Sequence, residues 1–230
     1  MKIAGLSKLT LLDFPGRMAC IVFTEGCNFR CPFCHNASLV TRTGENAEVS
    51  EQEFFSFLKK RKGILDGVVI TGGEPTIAEG LYEFIAKVRE LGYPVKLDTN
   101  GSFPDRIKRL LDDGMLDYIA MDIKTAREEY PKVTGVAVDY EKISRSIELI
   151  RGSGIPHEFR TTVVCGLHTE EDIVNIARML GAEESYFLQG FVDSGDILSE
   201  SCAAFSNDEM HAMLEAARKY CPKCELRGIE

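Results

Sequence analysis

Short apolar runs recur along the chain at roughly the 30-residue spacing of a strand–helix–strand unit. Each run gives way to a tip rich in Gly, Asp or Asn and then to an amphipathic stretch. The runs at 19–24, 67–71, 95–99, 118–123, 158–164 and 186–189 are β-branched and almost continuously apolar. That is the pattern of strands covered on both faces. Amphipathic helices are predicted at 51–61, 80–91, 104–112, 140–152, 170–180 and 208–220. Ser50 and Glu53 form a capping box for the first of these. In the last, Met210, Met213, Leu214 and Ala217 share one face, which reads as core rather than cofactor contact. Regular alternation implies parallel strands joined by right-handed crossovers. Six units are too few to close an eight-stranded barrel. The expected α/β architecture is therefore an open, partial (β/α)6 TIM-like barrel, with a doubly wound open sheet as the alternative. The first 17 residues read as a lead-in strand or hairpin, and the polar stretch 41–47 as a surface loop. No linker rich in Pro, Gly or Ser interrupts residues 1–230, so a single domain is expected.

Composition narrows the function. The 230 residues are 44% hydrophobic, ample for a core, and carry a formal net charge of -9. An acidic chain lacks the electrostatic footprint of a nucleic-acid binder. No apolar run approaches the ~18 residues of a membrane span. The first residues lack the apolar stretch and cleavage site of a signal peptide. A cytoplasmic protein is expected. Eight cysteines without a secretion signal favour a reducing compartment and a metal role.

Three of those cysteines, Cys27, Cys31 and Cys34, stand at C-x-x-x-C-x-x-C spacing on one short segment. Three thiolates there can hold three irons of a 4Fe-4S cluster, which four cysteines normally hold. The missing ligand leaves one iron open, much as a catalytic zinc keeps one position open. Zinc itself fits less well, because His35 adjoins Cys34 too closely to share one tetrahedral metal comfortably. The other informative residues also follow strands, where α/β barrels build their sites. Gly72-Gly73-Glu74-Pro75 would bare backbone to a ligand, its carbonyls able to accept from an ammonium group, or simply make a tight turn. Asp98 and Asp122, at two strand ends, would face one hard cation or cap the following loops. Arg160, within a strand, needs an anion: a ligand carboxylate or an acidic neighbour. Cys221 and Cys224 read as structural or redox-incidental, and Cys20 and Cys165 as small core residues. His157, His168 and His211 read as surface or loop residues.

Cys27/Cys31/Cys34 followed by Gly72-Gly73-Glu74-Pro75, within a six-fold β/α pattern, resembles the radical S-adenosylmethionine (radical SAM) superfamily over nearly the whole chain. The resemblance implies that the amino and carboxylate groups of S-adenosylmethionine chelate the open iron. One electron then releases a 5′-deoxyadenosyl radical, the cofactor carrying the hard chemistry. A narrower resemblance rests on Cys34-His35-Asn36, Asp98-Thr99-Asn100-Gly101, Asp122-Ile123-Lys124 and Arg160. These look like the glycyl-radical enzyme activases, including pyruvate formate-lyase activase. Asp13-Phe14-Pro15-Gly16 resembles their Asp-Gly-Pro-Gly lead-in, with Phe14 departing from it. The lead-in and the Arg-Thr-Thr-Val-Val stretch look most like the longer type of anaerobic ribonucleoside-triphosphate reductase activating protein. By resemblance, Phe33 stacks near the adenine, and Lys124 and Arg160 serve the carboxylate. His35, Asn36, Gly72, Gly73, Glu74 and Asp98 complete the cofactor-facing set. Asp98, the Thr99 carbonyl and Asp122 would take Na+ or K+. No cysteine lies between Cys34 and Gly72, as in activases with a single cluster. The implied reaction removes hydrogen from a glycine Cα of a partner. That partner would be anaerobic ribonucleotide reductase or a pyruvate formate-lyase-like protein, with flavodoxin or ferredoxin as electron donor. No catalytic residue is expected beyond the cluster and S-adenosylmethionine. The alternatives are a small-molecule enzyme of the 7-carboxy-7-deazaguanine synthase type and a non-enzymatic iron–sulfur or zinc scaffold.

Overall fold

The computed structural model describes residues 1–41 and 49–229. Of the polar stretch 41–47, Thr41 closes a short helix and the rest lies outside the described residues. Among the described residues there are eight strands: β1 (Ile3–Thr10), β2 (Ala19–Thr24), β3 (Gly67–Gly72), β4 (Val95–Thr99), β5 (Tyr118–Asp122), β6 (His157–Val163), β7 (Tyr186–Gly190) and β8 (Cys224–Arg227). The helices are α1 (Ala37–Thr41), α2 (Glu51–Lys60), α3 (Leu81–Glu90), α4 (Pro104–Asp112), α5 (Tyr130–Thr134), α6 (Tyr140–Gly152), α7 (Glu170–Leu180) and α8 (Asn207–Arg218). The strands hydrogen-bond in chain order, from β1 at one edge to β8 at the other. A doubly wound sheet would reverse its strand order at a switch point. The unbroken order is that of an open, partial (β/α)6 barrel, with β2 to β7 as the six strands. β1 is the expected lead-in and runs antiparallel to β2. β8, parallel to β7, is an addition that sequence reading missed.

The chain forms two compact units. The first comprises Met1–Asn28, Ser38–Ala120 and Lys142–Pro156; the second comprises Phe29–Ala37, Met121–Glu141 and His157–Glu230. In the first, alternation along β2 splits its side chains between two faces. Ala19 and Ile21 join Phe14 and Val69 in one buried cluster, with Phe23 and Tyr118 packed against it. The residue that departs from the activase lead-in, Phe14, is thus a core residue, only 2% exposed. A Cβ on Gly67 would stand 2.8 Å from the Phe14 ring, so the missing side chain at 67 makes room for the ring. Phe54 of α2 stacks on Phe84 of α3 with centroids 5.1 Å apart. Both rings are fully buried, each stabilising the fold by about 1.5–3 kcal/mol. Ser50 and Glu53 form the predicted capping box.

In the second unit, β6, β7 and β8 pair in parallel. α7 buries Ile173, Ile176, Ala177 and Leu180, and α8 buries the predicted Met210, Met213, Leu214 and Ala217. Cys221 and Cys224 are fully buried. The Cys221 thiol donates to the Glu184 carbonyl at 3.3 Å. Burial pushes the Cys224 thiol up to about 12. Cys20 fills the core as expected, but Cys165 is exposed. The chain leaves β6 at Val163, so Cys165 falls past the strand it was assigned to.

Candidate active site

In the first unit, β2 runs into Gly26, Cys27 and Asn28, and β3 into Gly72 and Gly73. The Gly73 N–H donates to the Thr24 carbonyl at 3.0 Å, and the Glu74 N–H to the Gly26 carbonyl at 2.8 Å. A Cβ on Gly73 would stand 1.9 Å from the Gly26 oxygen; one on Gly72, at φ 120°, would stand 2.3 Å from the Thr24 nitrogen. The paired glycines therefore let one backbone lie directly on the other, and Cys27 is held by that contact.

Glu74 is 1% exposed. Its Oε1 accepts from the Thr76 N–H at 3.0 Å, from the Thr76 hydroxyl, and from the Thr99 hydroxyl at 2.7 Å. Its Oε2 accepts from the Asn100 N–H at 2.6 Å. Burial raises its pKa against the pull of these donors. These contacts make the Glu74 carboxylate tie the end of β4 to the glycine turn. Asn100 continues the chain of contacts. Its Oδ1 accepts from the Ser102 N–H at 3.0 Å and the Ser102 hydroxyl at 2.5 Å. Its Nδ2 donates to Asn28 Oδ1 at 3.0 Å and lies 3.8 Å from Cys27 Sγ. Asn28 Nδ2 donates to the Ser102 hydroxyl at 3.0 Å, closing the ring. Asp98 shares its face of β4 with Lys96, which is 2% exposed and lies 2.9 Å from it.

The second unit contains Cys31 and Cys34. The Cys34 N–H donates to the Cys31 carbonyl at 3.1 Å, and the Arg30 N–H to the Thr134 carbonyl at 2.7 Å. Burial raises the Cys34 thiol, while the Asn36 backbone N–H and the Lys124 charge pull it down. Asp122, at the end of β5, pairs with Lys124 at 3.0 Å and with Arg160 Nε at 2.9 Å. Burial works to raise its carboxyl, but Arg160 and Lys124 overcome that and hold it well below the usual range. Burial likewise opposes the charge on Lys124, yet Asp122 and the Cys31 and Cys34 sulfurs keep its pKa above the usual lysine range. Arg160 therefore has the acidic neighbour left open by sequence. Asp98 and Asp122, read as cation ligands, are each ion-paired to basic side chains within their own units. Arg160 Nη1 also lies 3.8 Å from the buried Glu158 carboxylate, which Arg227 shares at 3.0 Å.

Phe33 is buried edge-on to His168, with centroids 6.0 Å apart. His35 stacks on Phe191 at 5.5 Å. His168 was expected at the surface but is 3% exposed. Its Nδ1 accepts from the Val164 N–H at 3.0 Å, which leaves Nε2 to donate to the Lys124 carbonyl at 2.7 Å. Sequence reading missed His168, Lys96, Asn28 and Asn100 as parts of the site. Only Asn100 and Asn28 carried a signal, standing beside Asp98-Thr99 and Cys27.

Among the described residues, no three His, Cys, Asp or Glu side chains converge as ligands of one metal ion. A cluster asks for no such convergence, since each thiolate binds a different iron. Groups that would support iron-bound thiolates are an amide beside Cys27, and a backbone N–H and an ammonium beside Cys34; burial and the Asp196 and Asp122 carboxylates oppose charge on Cys34. No helix among the described residues is long and apolar enough to cross a membrane.

Three comparisons bear on this arrangement. The model of the radical SAM superfamily matches residues 21–180. A protein of Methanocaldococcus jannaschii, provisionally named a glycyl-radical enzyme activating enzyme, is 30% identical over 99% of this chain and 96% of its own length. A Pyrobaculum aerophilum protein, provisionally named a GTP 3′,8-cyclase, is 30% identical over 70% of this chain, a match spanning 54% of that relative. Among solved structures, Streptococcus suis SuiB bound to its precursor peptide superposes with TM-score 0.69 at 14% identity. It covers 90% of this chain and 48% of SuiB, a likeness of fold.

Proposed function

The chain belongs to the radical SAM superfamily, and on that premise we propose that it activates a glycyl-radical enzyme. The observation that carries the reading is the end-to-end match to the M. jannaschii protein named for that role. The cyclase match spans only about half of its relative. When bound, the cluster and S-adenosylmethionine supply one electron and a 5′-deoxyadenosyl radical able to take a hydrogen atom from a glycine Cα. The chain's own residues hold and orient. Cys27, Cys31 and Cys34 take three irons. Lys124 and Arg160, aligned by Asp122, meet the cofactor carboxylate. His168 fixes the Lys124 carbonyl and the Phe33 ring. No general acid or base is needed, because the task is to set a glycine against the reacting carbon, and positioning dominates such steps.

The favoured partner is an anaerobic ribonucleotide reductase, with flavodoxin or ferredoxin as reductant. The test is an electron paramagnetic resonance spectrum of an anaerobic mixture. It contains the reconstituted, reduced protein, S-adenosylmethionine and the host's anaerobic ribonucleotide reductase large subunit. A glycyl-radical doublet is expected. Production of 5′-deoxyadenosine with no doublet on any glycyl-radical protein of the host would overturn the activase reading and leave a small-molecule substrate.

A further inference from the structure

Asn100 has the features of a residue built to present an N–H to a cluster sulfur. Its amide orientation is fixed chemically. The Ser102 backbone N–H is an obligate donor, so the atom it meets at 3.0 Å must be the Asn100 oxygen. The two amide hydrogens therefore point the other way, toward Asn28 Oδ1 at 3.0 Å and Cys27 Sγ at 3.8 Å. The main chain is fixed as well, because the Asn100 N–H is bound by the buried Glu74 carboxylate at 2.6 Å. Asn100 is itself 4% exposed, and Ser102 8%. Burying the Asn100 and Ser102 side chains in a ring closed by the half-buried Asn28 is costly unless each buried donor is used. Here one Asn100 hydrogen has a sulfur as its neighbour.

We propose that Asn100 raises the reduction potential of the cluster by donating an amide hydrogen to the Cys27 sulfur. The inference rests on the cluster reading above. Reduction adds one electron to the cluster and makes its thiolates more electron-rich, while no bond to protein forms or breaks. A donor aimed at a ligating sulfur stabilises the reduced state more than the oxidised one. Hydrogen bonds to cluster sulfurs are among the terms that set such potentials. Asn28 and Ser102 act through Asn100, as positioning residues.

The experiment is a potentiometric titration of the reconstituted protein, followed by electron paramagnetic resonance, with dithionite as reductant. Iron and sulfide content and the urea unfolding midpoint are measured alongside. Asn100→Leu removes the donor. Asn100→Asp keeps the oxygen that Ser102 requires and replaces the amide with a carboxylate oxygen. At fixed solution potential, the ratio of reduced to oxidised cluster should fall about tenfold in Asn100→Leu, a shift of about 59 mV for a one-electron couple. It should fall further in Asn100→Asp. Ser102→Ala keeps the backbone N–H but removes the hydroxyl that links the Asn100 oxygen to Asn28. Loosening the amide without deleting it, this variant should give a smaller drop in the same direction and serves if Asn100→Leu does not fold. Full cluster content with unchanged ratios in Asn100→Asp and Ser102→Ala would overturn this proposal alone. A wild type that assembles no iron and sulfide would overturn the cluster reading and this proposal together.

Discussion

Replacing Glu74 tests whether that side chain is a clamp or a ligand contact. Its carboxylate takes hydrogen bonds from the Thr76 N–H, the Thr76 and Thr99 hydroxyls and the Asn100 N–H. In Glu74→Ala the two hydroxyls can rotate to other acceptors, but the two backbone N–H groups are fixed and buried. An unsatisfied buried donor costs about 1–3 kcal/mol, giving about 2–6 kcal/mol for the pair. Release of a buried carboxylate offsets part of this, so about 2–4 kcal/mol is expected. Glu74→Gln can keep an oxygen for the threonines but sets its amide against the Asn100 N–H, a single mismatch costing about 1–3 kcal/mol. Urea unfolding of the reduced, cluster-free chain should rank wild type above Gln and Gln above Ala, at unchanged m-value. S-adenosylmethionine affinity of the reconstituted proteins is the second reading. Both variants within about 0.5 kcal/mol of wild type, the range of neutral surface changes, would refute the clamp. Affinity lost without stability would make Glu74 a direct ligand contact.

Gly73→Ala places a Cβ 1.9 Å from the Gly26 oxygen. It should lower stability by about 1–3 kcal/mol and cut cluster retention, read by iron content. The Asp122 pKa is lowered by folding from the usual 3.8. Its stabilisation is therefore present above that value and lost as pH falls through the lower folded value. Asp122→Asn should flatten the acid limb of stability against pH, measured by unfolding midpoints below pH 5. An unchanged limb would deny the ion pairs. Thiol labelling of the native, cluster-loaded protein at pH 8 should find Cys165 first. Burial raises Cys20 and Cys224 to about 12, so only about one molecule in ten thousand carries either thiolate. Mass spectrometry showing rapid labelling of Cys20 or Cys224 would contradict their burial.

The six strands and their helices were legible because strand cores such as Val68, Val69 and Ile70 are apolar on both faces, and because capping boxes announce themselves locally. β8 was not, since Cys-Glu-Leu-Arg on an edge offers only two apolar positions after a turn-like Pro-Lys. The cysteine loop and the glycine motif could be read from spacing. The partners of Glu74 could not, because Thr99 and Asn100 meet it only through tertiary structure. His168 was invisible for a related reason. Its partners are a backbone N–H and a backbone carbonyl, and any residue type can supply those. Asp98 and Asp122 were recognised as strand-end carboxylates in need of a partner, but sequence could not show that Lys96 pairs with the first and Lys124 and Arg160 with the second.

The fit of Phe14 over Gly67 has an evolutionary side. A side chain gained at one position is matched by one withheld at another, so the two sites cannot drift independently. Any Cβ at 67 would be penalised while the ring is present and tolerated once position 14 is glycine. Swapping the Asp-Gly-Pro-Gly lead-in into this chain would leave a cavity where the ring was. That cavity would turn Gly67→Ala from a damaging change into a repairing one.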